Sequence, residues 1–567
     1  MILYFYDKFI EIMKKTAIIP FIIFLSLHIH AQIAPQKYFI GFVDKNNSPY
    51  SIDRPEEFLS PGALERRQNQ SIPIDWYDLP VNDSYVSTIQ NLGVTILNKS
   101  KWLNGITIFC DNPELITAIS QLTFVNSIKK CYDINYRYPD NKFNLEEVIL
   151  EDWANFKQNC FVNSTLRYNY GPSLRQVQML NGDSMHRMGY QGSGKIIAVL
   201  DAGFYKADIL PAFDSIWANG QIIGAKDFVK PGNNVFLEYE HGMEVLSTMG
   251  GNIPGLLIGT APKAKFWLLR TEDQASENII EEYNWVSAAE FADSAGVDII
   301  NSSLGYTQFD DTTYNHTCND MTGDGTPVTQ GANRAVTRGM IVVNSAGNSG
   351  GSSWRCVSAP ADGFNVVAVA AVDSNGNRAL FSSVGEAAHR IKPNVAAMGA
   401  QTVMSSPGGG ITRRSGTSFS APLIAGMAAC LWEAAPTWSN TSITRAIELS
   451  SSQISNPDSL LGYGIPDFPK ALVHLVTPPD NKTLALRVFP NPFVASLTVV
   501  LPSYTNALVD IQIMDLFGRI RFSVENQSVG EENPYLYLGN LSGIPAGNYF
   551  LKVITGESVL FQKLIKR

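Results

Sequence analysis

Residues 413–422 read RRSGTSFSAP and crowd Ser415, Thr417, Ser418 and Ser420 into six positions. A serine hydroxyl is a poor nucleophile at neutral pH. It attacks only beside a general base, an acid that orients that base, and donors for the oxyanion that forms. Residue types suited to those tasks lie far upstream. Asp201 ends the apolar run GKIIAVLDAGF, His241 stands in EYEHGMEVLSTMGG, and Asn348 ends VVNSAGNSGG. Taken singly, each also has an ordinary reading. An Asp before a small residue closes a turn, a histidine on an apolar face packs, and Asn beside Gly is a turn former. Ser418 or Ser415 at the mouth of an apolar helix serves equally as its cap.

The elements that would position these residues are legible. From Tyr170 onward the apolar runs IIAVLD, FWLLR, VDIINSSLG, MIVVNSAGN and FNVVAVAAVD alternate with helix-like segments such as 279–296. This predicts an α/β domain with a mainly parallel sheet flanked by helices, whose functional groups gather at the carboxyl ends of the strands. Asp201, Asn301 to Gly305 and Asn344 to Asn348 fall there. After Ser418 comes the Ala-rich stretch FSAPLIAGMAACLWEAA, a helix that tolerates Pro422 if this residue lies in its first turn. A serine at such a helix mouth gains from the N-terminal dipole and offers its N–H to an anion.

At 567 residues the chain is too long for one ordinary core. A net charge of −9 argues against nucleic acid as a partner. The basic Met13-Lys14-Lys15, the apolar run from Thr16 to Leu27 and the small residues near Ala31 form a secretory signal over 1–31, with Met13 an alternative start. No other stretch is long enough for a membrane span. Export permits disulfides. Cys318 and Cys356 sit in polar loops that suit a pair, Cys110–Cys131 is a weaker candidate pair, and Cys430 reads as a buried thiol. Residues 32–165 read as a small α+β domain and linker, with strand, helix and strand over Gly105 to Lys129. The α/β domain spans 166–475 and a Pro/Asn/Thr linker 476–486. Short alternating strands over 487–567 predict a small all-β sandwich.

The ordered set DAGF, HGMEVLS, GTAPKAK, NSSLG, SAGNSGG and GTSFSAP resembles the subtilisin-like serine proteases over roughly Gln176 to Leu475. That resemblance implies a secreted serine endopeptidase, with Ser418 as nucleophile, His241 as general base and Asp201 as the orienting acid. It implies an oxyanion hole from the Asn348 side chain and the Ser418 N–H. Ser303, Leu304 and Gly305 are then the strand that pairs with substrate backbone. No metal or cofactor is required for the chemistry. Calcium is common in the family, but Asp310, Asp311, Asp320 and Asp324 do not have EF-hand spacing and read as a solvated acidic loop. The sequence departs from the family at Met243, where Thr or Ser is usual. By position, 32–165 is an inhibitory propeptide. The pieces VFPNPF, IMDLFGRI and IPAGNYFLKVITG resemble the type A C-terminal sorting domain of the type IX secretion system. The partners so implied are peptide substrates, the chain's own propeptide and that secretion machinery. A silent surface-binding or adhesion protein on the same scaffold is the other class the sequence allows. Arg413 and Arg414 are left between contact with the leaving-group side of a substrate and contact with water.

Overall fold

A computed structural model describes residues 36–131, 146–148, 168–385, 390–476, 486–501, 507–529, 535–556 and 558–567. The expected signal segment, residues 477–485 of the expected linker and residues 160–167 of the stretch 160–174, where the propeptide cut is expected, lie outside them. Among the described residues no helix is long and apolar enough to cross a membrane.

The central domain is built on a seven-stranded sheet. Across it lie Val395–Met398, Val367–Val372, Ile341–Ser345, Ile299–Ser302, Ile196–Asp201, Lys265–Arg270 and Ile222–Asp227. Every neighbouring pair is parallel. Helices cover both faces, which explains why runs such as VAVAAV are apolar without alternation: every residue of that strand is buried. From Ile196–Asp201 the chain first forms the edge strand Ile222–Asp227, returns to fill the gap with Lys265–Arg270, and then crosses to start the other side at Ile299–Ser302. The crevice between the carboxyl ends of Ile196–Asp201 and Ile299–Ser302 is the topological switch point, where open parallel sheets hold their sites. One core lies under the helices His241–Gly250 and Thr417–Ala434, the other under Ile280–Ser294 and Pro327–Thr337.

The N-terminal domain is an antiparallel sheet in the order Thr95–Ser100, Gly105–Phe109, Lys37–Phe42, Val125–Lys130, packed on Asp83–Gln90 and Pro113–Ser120. Asn112 caps the latter helix, its side chain accepting from the Glu114 N–H, as the Asp-Asn-Pro opening suggests. The last domain pairs a three-stranded with a four-stranded antiparallel sheet over one core that includes Phe493, Val499, Ile511 and Leu551.

Cys318 and Cys356 form a disulfide, and Cys430 is a buried thiol. The Cys110–Cys131 pairing is incorrect, since both are buried free thiols. Their backbone N–H groups bond Gln36 and Lys37, on opposite edges of the strand Lys37–Phe42. Two strand spacings, about 9–10 Å, then separate them, beyond the reach of a disulfide.

Candidate active site

Asp201 ends its strand fully buried, its Oδ1 accepting from the Ala202 N–H at 2.8 Å. Arg270, its register partner on the next strand, donates from Nε to the Ala202 carbonyl at 3.0 Å and fixes the turn that follows. The same guanidinium is held by Asp227 at 2.9 Å and Glu238 at 3.1 Å. His241 opens the helix His241–Gly250, and its Nδ1 lies 2.7 Å from Asp201 Oδ1. A carboxylate only accepts, so Nδ1 carries the proton and Nε2 is left as the basic nitrogen. Gly242 makes this approach feasible: a Cβ there would sit 2.4 Å from the Gly203 carbonyl oxygen and 2.8 Å from Asp201 Cβ. Met243, the departure from the usual Thr or Ser, is wholly buried in the core under the helix.

Ser418 is the second residue of the helix Thr417–Ala434, so its N–H lies outside the intrahelical ladder. The aromatic ring of Phe419 packs against the His241 imidazole, centroids 5.8 Å apart, and brings the helix mouth beside the base. Pro422 is the sixth helical residue rather than part of the first turn. A residue there would normally donate to the carbonyl four positions back, which is that of Ser418. The vacancy is filled from outside the helix: Ser303 Oγ donates to the Ser418 carbonyl at 2.8 Å, and Ser418 Oγ donates to the Ser303 carbonyl at 3.2 Å. This reciprocal pair ties the serine to the neighbouring loop, and sequence reasoning missed it. Proline four residues after Ser418 was the available signal.

The other hydroxyls of the stretch are engaged elsewhere. Ser420 Oγ donates to the Thr417 carbonyl at 2.9 Å, and Ser415 Oγ accepts from the Gln401 N–H at 3.1 Å. Thr417 has a task the sequence did not suggest. Its N–H and Oγ1 both donate to Asn348 Oδ1, at 2.8 and 2.9 Å, and Oγ1 accepts from the Gly347 N–H at 3.1 Å. With its carbonyl oxygen fixed this way, the Asn348 amide can turn only its NH2 elsewhere. Asn348, Ser418 and the segment Ser303, Leu304 and Gly305 line one cavity of about 220 Å³. The Leu304 carbonyl is already engaged, accepting from Asn344 Nδ2 at 2.9 Å and Ser345 Oγ at 3.3 Å.

Arg414 has a buried carboxylate as a partner. Its Nε lies 2.9 Å from Glu244 Oε1, one turn along the His241 helix, and Glu244 is fully buried. Arg413 donates to the Gln401 carbonyl at 2.9 Å, and burial lowers the pKa of its guanidinium. The backbone of 413–415 also pairs antiparallel with Glu146–Val148, immediately upstream of the serine. Among the acidic-loop residues, Asp311 caps a short turn through the Thr313 N–H and Asp320 does so through the Thr317 N–H. Three other carboxylates, Glu272, Glu277 and Glu281, have oxygens within 4.8 Å of one another.

A parallel sheet with a carboxylate–imidazole pair at its switch point, and a serine on the facing helix mouth, is the framework of an α/β serine hydrolase. Residues 192–464 match the model of the subtilase family. Residues 37–144 match the Peptidase S8 propeptide domain of Bacteroidota, and 487–567 the secretion system C-terminal sorting domain. The last match marks a chain exported to the cell surface or beyond. Subtilisin NAT of Bacillus subtilis subsp. natto is 30% identical over 285 residues, 49% of this chain and 66% of that protein. Subtilisin BL of Lederbergia lenta is 28% identical over 292 residues, 51% of this chain and 94% of that protein. Among solved structures, MycP1 from the ESX-1 type VII secretion system is similar at 21% identity and a TM-score of 0.43. That match covers 60% of this chain and 94% of that one.

Proposed function

We propose that this chain is the precursor of a secreted serine endopeptidase that cleaves peptide bonds through an acyl-enzyme on Ser418. The observation that carries the reading is the 2.7 Å contact between His241 Nδ1 and Asp201, with Ser418 on the helix packed against the same imidazole. His241 Nε2 would take the Ser418 proton as Oγ attacks the carbonyl carbon, then deliver it to the leaving amine. Water would repeat the cycle in reverse to free the acid and restore the hydroxyl. The Asn348 NH2 and the Ser418 N–H would receive the oxyanion. Because the Leu304 carbonyl is already taken by Asn344 and Ser345, backbone pairing to an extended substrate would fall on Ser303 and Gly305, the alternation an added strand requires.

Residues 32–165 act in this reading as an inhibitory propeptide, supported by the strand Glu146–Val148 laid against 413–415. The central domain is taken as 166–475 and the sorting domain as 487–567, the latter engaging the type IX machinery. No metal enters the chemistry, and any calcium would be structural. In Ser418→Ala, both peptide hydrolysis and labelling by a fluorophosphonate should vanish while the melting temperature stays within a degree or two of wild type. Labelling that survives the substitution would refute the assignment. A wild-type chain that never labels would favour a silent binding protein on this scaffold.

A further inference from the structure

The cavity beside Ser418 is unusually polar for a pocket that receives a substrate side chain. Past Gly305 and Gly347 it meets the Ser358 hydroxyl. Ser358 is 4% exposed, and its Oγ has no hydrogen-bond partner among the described residues. The two glycines leave it uncovered: a Cβ at Gly305 would come within 2.2 Å of Ser358 Oγ, and one at Gly347 within 3.2 Å. The carboxylates of Glu272 and Glu277 line the same cavity, and no Lys, Arg or His lines it among the described residues. Glu272 is fixed, with Oε1 accepting from Tyr306 Oη at 2.5 Å and Thr271 Oγ1 at 2.8 Å. Glu281, with an oxygen within 4.8 Å of both, adds to the negative field at that end.

We propose that this cavity selects a cationic side chain, lysine or arginine, of the peptide substrate. The inference rests on the peptidase reading above and adds its substrate class. An apolar side chain entering here would strip water from two carboxylates and a buried hydroxyl and return no hydrogen bond. An acidic one would meet like charge in a desolvated cleft. The N–H donors of a guanidinium or ammonium would give Ser358 Oγ a partner and bring a positive charge to the carboxylate end of the cavity, and charge-assisted bonds are the stronger kind. A site built to bond a polar group also discriminates more sharply than one that only measures size.

The test uses matured enzyme from the full-length chain and fluorogenic peptides varied, one position at a time, through the four residues before the scissile bond. At one position kcat/KM for Arg or Lys should exceed that for Gln, Phe and Glu by about tenfold or more, with Glu lowest. Glu277→Gln should reduce the Arg-to-Gln ratio by about tenfold, and Ser358→Ala by a smaller factor. A measurement on wild type alone guards against misfolded variants: a peptide aldehyde ending in arginine should inhibit more tightly than one ending in phenylalanine. A flat or apolar preference, or a ratio indifferent to both substitutions, overturns the proposal. So does a preference that appears only with a calcium chelator, since the carboxylates of the native enzyme would then be holding a metal ion. Fluorophosphonate labelling in parallel separates the two levels. Labelled enzyme without cationic preference sinks this inference alone, whereas unlabelled wild type removes the peptidase reading as well.

Discussion

At the scale of single residues, the site depends on groups that hold others in place. Thr417 contributes no chemistry of its own, yet its N–H and hydroxyl fix the Asn348 carbonyl oxygen and so aim the amide NH2. Losing an oxyanion donor costs roughly 10²–10³ in kcat, a magnitude measured in subtilisin, of the family that residues 192–464 match. Asn348→Ala should therefore lower kcat by that factor. Thr417→Val removes one of the two bonds to Asn348 and should lower kcat by about tenfold with KM little changed. Steady-state kinetics on one peptide checks both. A larger change in KM than in kcat would mean Asn348 binds the ground state.

At the scale of elements, the helix His241–Gly250 is pinned by its close approach to the strand end at Asp201 and by Arg414 on Glu244. The approach leaves no room for a methyl at residue 242, where the obstacle is backbone oxygen and not a flexible side chain. Gly242→Ala should push the imidazole away from Asp201. A misplacement of about 1 Å at a reacting group costs on the order of 10²-fold, so kcat/KM should fall by about that much while circular dichroism stays native. Undiminished activity would show that the helix can slide without loss. Pro422 works at the same scale, since its missing N–H is what frees the Ser418 carbonyl for Ser303.

At the scale of the whole molecule, the N-terminal domain is locked to the central one through buried charge. Asp293, on the helix Ile280–Ser294, receives Arg66 at 2.6 Å, Arg67 at 3.0 Å and Lys101 at 2.9 Å. Burial pushes the Asp293 carboxyl up, but these three cations outweigh it and hold its pKa below the usual carboxylate range. Glu290, one turn earlier, accepts from Ser100 Oγ and from the Lys101 and Trp102 N–H groups, yet burial dominates and raises it from 4.5 to about 7. The signs differ. Asp293 stabilises the interface fully above its ordinary 3.8, and that contribution fades as pH falls through its lower folded value. Glu290 contributes most below 4.5, and its contribution fades as pH rises to about 7. Lys45 is lowered from 10.5 to about 7 by burial, so its shift changes stability mainly between those two values, where the unfolded chain still holds the proton. In the inactive Ser418→Ala chain, the stability difference between Glu290 and Glu290→Ala should therefore shrink from pH 4.5 to 7. Thermal denaturation across that range checks it, and a difference that grows would contradict the buried-carboxyl account. Asp293→Ala strands three buried cations and should destabilise the same chain by about 3–5 kcal/mol near pH 6.

Local sequence pointed to the elements and to the residues whose types could do chemistry. Short apolar runs that close on small or polar residues and alternate with helical segments suit parallel strands buried on both faces, and Asp-Asn-Pro and Gly-Thr-Ser suit helix openings. The ordered motifs around Asp201, His241, Asn348 and Ser418 also implied the family, because each pairs a chemical residue with the small neighbours that let it approach another. Contacts across the fold were out of reach. That Cys110 and Cys131 lie on opposite edges of one strand, and that Arg414 joins Glu244, depends on which strands become neighbours. Sequence separation carries no record of this. The same holds for the cavity beside Ser418. Glu272 and Glu277 precede the serine by more than a hundred residues, and only the folding of the sheet around its switch point sets their carboxylates in the cavity that Ser418 also lines.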